Sequence, residues 1–386
     1  MLIFVCTQHR EGHMRFADLI EQTEAIDKVR ETIRSGRLAH ALLLTGPSGI
    51  GKLAFATALA QYVNCLQPID GDSCGRCNSC LKISKAAHPD LRYILPVISK
   101  LNAGKRMLSA DFFEEFRKEF TADPYYSFET WQRSLGGDNK QLFISVHEIR
   151  DLKRSIYLKA FEAQYKVVIV WNAEYINIEG ANAFLKLLEE PPDRALILMT
   201  CSDPSQLLTT INSRCQRLQL RRISTPAIQG YLTERHQLDP AHALDIAQVS
   251  EGSLGSANEY LSESNLNLSK RYVDWLRAIY LGDYQKITDQ TEPLARESKE
   301  YQKLFLMLAM RKLRDSYLYH LGTPQLALVT GDEQAFHEKF SQLMDTDKVA
   351  RMAREMERSL NYLSGNAHAQ MVFSALSLRM HGILRE

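Results

Sequence analysis

At 386 residues with 45% hydrophobic side chains, the chain can build two or three domains with proper cores. A formal net charge of +1 argues against a nucleic-acid binder that works by bulk charge, and no apolar run reaches the roughly 20 residues of a membrane span. Seven cysteines, four of them in one short stretch, suit a cytoplasmic setting and favour metal binding over disulfides.

Met1–Cys6 is apolar but lacks the basic leader of a secretory signal. Met14 reads as the start of the folded text and Met1–His13 as an upstream extension. Phe16, Leu19, Ile20, Ile26, Val29 and Ile33 then recur at helical spacing. Ala41–Thr45 is a short apolar strand, followed at once by Gly46-Pro47-Ser48-Gly49-Ile50-Gly51-Lys52 and an Ala-rich helix over Leu53–Val63. Strand, glycine loop and helix are the context of a phosphate loop: Gly46, Gly49 and Gly51 let backbone N–H groups turn inward, the helix N-terminus favours anions, and Lys52 reaches the outer phosphates. The next position should supply a Ser or Thr hydroxyl for Mg²⁺, but it is Leu53. A glycine turn kept for the fold and a true ATP or ADP site both remain open.

Cys65, Cys74, Cys77 and Cys80 have the spacing of a closed tetrahedral Zn²⁺ shell, which would be structural because four thiolates leave no place for water. Free thiols, or a set that uses His88, are the alternatives. Leu91–Val97 reads as a strand. Ser99–Lys140 differs in texture, with Phe112, Phe116 and Phe120 on one helical face, Phe113, Tyr125, Tyr126 and Trp131 besides, and a turn at Gly136-Gly137-Asp138-Asn139. A packed helical insertion is expected there; an aromatic platform for single-stranded nucleic acid is the rival.

Val146–Ala160 reads as a helix and Val167–Val170 as a strand buried on both faces. Phosphate-cleaving enzymes place metal-binding and water-orienting carboxylates just after such a strand, and here stand Trp171 and Asn172. Ile178–Glu190 is a helix stopped by Pro191-Pro192, and Leu196–Met199 and Gln216–Leu220 are the last strands, with Ser213-Arg214-Cys215 between them. From Ser224 the strands disappear. Thr225–Gln237, Asp239–Ser250 and Ser256–Leu261 read as three helices, Ser262–Lys270 as a linker, and the rest as helical. Val349, Met352, Met356, Leu360 and Leu363 form an apolar stripe, with Asp345 or Asp347 as its cap.

The order of glycine loop, cysteine set, Lys166–Val170 with Ala173-Glu174, Ala181–Pro192 and Ser213-Arg214-Cys215 resembles the bacterial DNA polymerase III clamp loader, within the AAA+ proteins. Leu38–Leu43, His88-Pro89-Asp90-Leu91 and Ile149-Arg150 add to it. The resemblance implies an α/β chain: an AAA+ RecA-like parallel-sheet domain (14–223) with a zinc module (65–80) and the helical insertion (99–140), a small helical lid domain (224–265) and an all-α C-terminal collar domain (266–386) that oligomerises.

It also implies partners, namely the gamma/tau motor subunits, the delta subunit, and through the complex the sliding clamp and primer-template DNA, without a membrane. Motor subunits hydrolyse ATP, whereas a related subunit of the same loader lacks a working site. Leu53, Trp171, Asn172 and Gly255, which stands where motor subunits carry a lid arginine, all point to the second type. The resemblance gives Arg214 the role of an arginine finger acting in trans on a neighbour's γ-phosphate, an effect worth roughly 10³–10⁵ in rate for fingers of this kind. An arginine paired with a carboxylate of its own domain is the alternative. An active motor ATPase and a stand-alone zinc-containing DNA binder are the rival functions.

Overall fold

A computed structural model describes residues 14–98, 101–102, 105–136, 141–263, 268–327, 329, 331–365 and 367–386. The expected extension Met1–His13 lies outside the described residues, as does most of the turn expected at Gly136–Asn139. The chain divides into two compact units, one running to Ile223 and including Ser253–Ser256, the other holding Ser224–Gly252 and Ala257–Glu386.

The first unit is built on a parallel sheet of five strands: β1 (Ala41–Thr45), β2 (Leu91–Ile94), β3 (Lys166–Val170), β4 (Ala195–Cys201) and β5 (Gln216–Gln219), in the order β2-β3-β4-β1-β5. Leu43 pairs with Met199, and Val168 with Ile197, so the apolar runs line up across the sheet. β1, β4 and all but the first residue of β3 are buried, as fits central strands covered on both faces. β5 is an edge strand and exposes three of its four residues. The helices of this unit are α1 (Thr23–Arg34), α2 (Lys52–Val63), α3 (Asn78–Ser84), α4 (Phe113–Ala122), α5 (Phe128–Ser134), α6 (Val146–Ile156), α7 (Ile178–Glu189) and the single turn α8 (Thr209–Asn212).

Two sequence boundaries move for physical reasons. The strand expected over Leu91–Val97 ends at Ile94; Pro96 cannot donate to a ladder, and Val97–Ile98 instead pair antiparallel with Leu142–Phe143 at the root of the insertion. The helix expected to reach Ala160 stops at Ile156. There Asp90 accepts hydrogen bonds from the backbone N–H groups of Phe161, Glu162 and Ala163, at 2.7, 2.8 and 2.9 Å, and Lys166 Nζ donates to the carbonyls of Ser155 and Leu158. Those bonds fix a loop whose Tyr157, Leu158 and Phe161 side chains are exposed.

The insertion is a packed helical element. Phe112, Phe116, Phe120, Tyr125, Tyr126 and Trp131 are all buried, so these rings present no open faces for bases. Phe116 is the hub, 4.9 Å from Tyr93 on β2 and 6.4 Å from Trp171 between ring centroids, and Trp131 Nε1 donates to the Pro96 carbonyl at 2.8 Å.

The second unit is helical: α9 (Thr225–His236), α10 (Pro240–Val249), α11 (Leu254–Glu263, its first turn in the first unit), α12 (Leu268–Leu281), α13 (Tyr284–Arg296), α14 (Lys299–His320), α15 (Gly331–Ser341), α16 (Thr346–Ser364) and α17 (Ala369–Arg385). The expected linker Ser262–Lys270 shrinks, because α11 runs to Glu263 and α12 begins at Leu268; residues 264–267 lie outside the described residues. Asp345 accepts from Lys348 N and caps α16, and Met352, Met356 and Leu363 from its stripe are buried in a core with Tyr272, Trp275, Phe305 and Phe373. Lys312 of α14, almost fully buried, meets Asp245 of α10 at 3.1 Å and Glu333 of α15 at 2.5 Å, so α10 packs with the C-terminal helices.

Candidate functional site

The glycine loop leaves β1 and enters α2 as the sequence requires. Gly46 has φ +148°, and a Cβ there would lie 2.6 Å from the Leu220 carbonyl oxygen. Gly51 at φ +89° opens α2, and Gly49 at φ +71° accepts a 3.0 Å hydrogen bond from the Gly255 N–H through its carbonyl. Lys52 turns back on the loop. Its ammonium donates to the carbonyls of Gly46 (2.7 Å) and Pro47 (2.5 Å) and to Ser202 Oγ (3.1 Å). Burial pushes its pKa down to about 8 against the opposing pull of Glu174 and Cys201. Leu53 is buried and offers no hydroxyl.

Beyond β3, Trp171 is buried under Phe116, Tyr126, Phe128 and Trp131, with ring centroids 5.1–6.4 Å away. Asn172 adopts a left-handed φ of +53° and donates its N–H to Thr200 Oγ1 at 2.8 Å. Neither can grip a cation as a carboxylate would. Glu174, two residues after Asn172, is held at this strand end: Oε1 accepts the Ser202 N–H at 2.8 Å, while Oε2 is buried without a hydrogen bond. A cavity of about 20 Å³ remains between the loop, the Tyr125–Phe128 stretch and Trp171, enough for a single water. In the sequence Tyr125 is only one of several aromatic residues of the insertion, and nothing there marks its place against the glycine loop. Its only signal was a proline-bounded aromatic run inside an insertion of no evident purpose.

Arg214 follows α8 and lies at the surface. Its Nη2 and Nε both reach Glu189 Oε1 of α7, at 2.5 and 2.9 Å, and Nη1 donates to the Thr210 carbonyl at 2.9 Å. The intradomain pair weighed as the alternative to a finger is therefore present. Both partners are about one-third to one-half exposed. A pair of that exposure is worth about 0–1 kcal/mol.

Cys65, Cys74, Cys77 and Cys80 converge between α2 and α3, and their sulfur atoms all lie within 4.8 Å of one another. Cys74 and Cys80 sulfurs are 3.9 Å apart, close to the roughly 3.8 Å that a tetrahedron of 2.3 Å Zn–S bonds demands and far beyond a disulfide. The N–H groups of Cys74 and Cys77 point at the sulfurs of Cys65 and Cys74, at 3.2 and 3.3 Å, as donors that stabilise thiolates. The donor set therefore fits a structural Zn²⁺. His88 is engaged elsewhere: its Nδ1 accepts from Asp90 N, and its Nε2 lies 3.5 Å from Glu162.

A parallel sheet in this order with a glycine loop after the inner strand β1 defines a domain of the P-loop nucleotide-binding class. The family described as "DNA polymerase III, delta subunit" matches residues 21–224, and the chain belongs to it, a clamp-loader family of AAA+ proteins. It is 31% identical over 216 residues to DNA polymerase III subunit delta' of Pseudomonas aeruginosa, covering 56% of this chain and 53% of that protein. It is 26% identical over 300 residues to subunit tau of Escherichia coli, covering 76% and 38%, and 25% identical over 256 residues to subunit tau of Bacillus subtilis, covering 65% and 38%. The chain thus spans about half or less of the length of these relatives.

Proposed function

We propose that the chain is the delta-prime, or stator, subunit of a DNA polymerase III clamp loader. It would sit beside the gamma/tau motor subunits and the delta subunit, hydrolyse no ATP itself, and help load a sliding clamp onto primed DNA. One contrast carries the reading. Leu53, Trp171 and Asn172 stand where magnesium and water ligands belong and Lys52 is spent on its own loop, while Arg214 stays at the surface on a weak pair. Arg214 would leave Glu189 for a neighbour's γ-phosphate. Its planar fork would then stabilise charge on the equatorial oxygens, which a lysine does less well. The helices 224–265 would act as the lid and those from 266 as the oligomerising collar. Zn²⁺ on the four cysteines would hold the segment between α2 and α3 without taking part in chemistry.

The test is reconstitution with gamma/tau and delta. The isolated chain should turn over no ATP, and Arg214→Ala should leave assembly intact while cutting clamp-stimulated turnover of the complex at least tenfold. Lys52-dependent hydrolysis by the chain alone would instead favour a motor subunit.

A further inference from the structure

The insertion reaches the glycine loop through the stretch Pro124–Phe128. Tyr125 packs directly against the loop: a Cβ placed on Gly51 would meet its ring carbons at 2.4 and 2.9 Å. Its hydroxyl accepts a 3.0 Å hydrogen bond from the backbone N–H of Ile20, which precedes α1. Its carbonyl oxygen comes within 2.7 Å of where a Cβ on Gly255 would stand, so an arginine at that position would not fit. Tyr125 is itself buried, and the stretch is held from behind, because Asp123 Oδ1 accepts the Tyr125 N–H at 2.9 Å and Tyr126 packs at a tilt against Trp171, ring centroids 5.1 Å apart.

These contacts have a common character. A nucleoside phosphate at such a loop needs a free ammonium, open backbone donors and a pocket of several hundred Å³. Here the Lys52 ammonium is shared among three oxygens, the Ile20 N–H is taken by a phenol oxygen, and the space left is about 20 Å³. Trp171, which looks from sequence like a simple loss of an acid, is the platform that seats the stretch.

We infer that Tyr125 is a built-in occupant of the degenerate nucleotide site: a side chain from the insertion that fills the place of nucleotide beside the glycine loop and bridges the loop, the Ile20 turn and the Gly255 segment. This rests on reading the loop as a nucleotide site that has stopped working. Its consequence is that the first unit keeps one arrangement whatever the ATP and ADP concentrations around it. The insertion thereby acquires a purpose, as the carrier of that occupant.

The test is equilibrium binding of a fluorescent ADP analogue and of Mg-ATP to the full chain, as wild type, Tyr125→Phe and Tyr125→Ala. Wild type and Tyr125→Phe, which keeps the ring, should show no binding up to about 1 mM, and Tyr125→Ala should gain at least about tenfold in affinity. Micromolar binding by wild type overturns the inference, as does a folded Tyr125→Ala chain as blind to nucleotide as wild type. Should Tyr125→Ala not fold, hydrogen exchange on wild type decides: unchanged protection of the Ile20 and Gly46–Leu53 amides with and without Mg-ATP supports the occupant, and added protection overturns it. Nucleotide binding without turnover would sink this inference and leave the stator reading standing, whereas turnover would sink both.

Discussion

Arg214 and Glu189 share a single carboxylate oxygen, with Nη2 at 2.5 Å and Nε at 2.9 Å, at the junction of two stretches that sequence reading treats as separate motifs. Glu189 lies in the run that ends in Pro191-Pro192, and Arg214 in Ser213-Arg214-Cys215. The pair parks the guanidinium in one orientation without burying it. Glu189→Gln keeps the shape and removes the charge that competes with phosphate. It should alter turnover of a reconstituted loader by no more than about fivefold, because an exposed pair contributes under ~1 kcal/mol. Arg214→Lys keeps the charge and loses the fork, and should fall close to Arg214→Ala. A lysine variant with wild-type turnover would show that charge alone suffices.

Lys52 gives a pH signature. Its pKa falls from 10.5 to about 8 on folding, chiefly through burial. Between those values the unfolded chain holds more protons than the folded one, so this group makes stability rise with pH; its contribution is present above 10.5 and is lost as pH falls through 8. The difference in unfolding free energy between wild type and Lys52→Met should therefore shift in favour of wild type from about pH 8 to 10. A difference that stays flat over that range would mean that the ammonium is solvated.

The thiolate cluster predicts one Zn²⁺ per chain by elemental analysis. Cys77→Ser should lose it and lower the Tm of the first unit by roughly 10 °C or more, since a closed thiolate shell contributes folding energy directly. Chelation of wild-type protein should reproduce the shift. Metal-free protein with an unchanged Tm would make these four free thiols.

Much of this was legible beforehand because the signals are local. A β-branched run such as Val167–Val170 can hardly be anything but a central strand, and the cysteine spacing already confines the four sulfurs to one knuckle. What stayed hidden depends on distant partners. Nothing near Ser155 says that Asp90, far back in the chain, will end α6 by taking up the N–H groups of the next loop. Nor does Trp171 reveal by itself that it seats aromatic rings from an insertion more than thirty residues upstream. Leu53 could be read as a lost ligand, but the occupant of the space it helps to line could not.

The helical unit carries a further prediction in its buried charges. Asp315 of α14 is fully buried, neither of its oxygens receives a hydrogen bond, and the nearest guanidinium atoms, on Arg311 and Arg314, stand 3.9 and 3.8 Å away. Burial raises its pKa to about 6, partly offset by Arg311, Lys312 and Arg314. A raised carboxyl contributes stability that is full below its unfolded pKa of 3.8 and is lost as pH climbs through 6, leaving an under-solvated charge at neutral pH. Asp315→Asn, which stays neutral, should stabilise the helical unit by roughly 1–3 kcal/mol at pH 7.5, with the gain shrinking towards zero near pH 4. Lys312→Met should do the opposite at pH 7.5. It leaves Asp245 and Glu333 without their shared cation, and breaking a buried pair costs about 3–5 kcal/mol. Denaturant titrations of the two variants across that pH range separate the effects. An Asp315→Asn chain no more stable than wild type at pH 7.5 would place a solvating partner on Asp315 in solution.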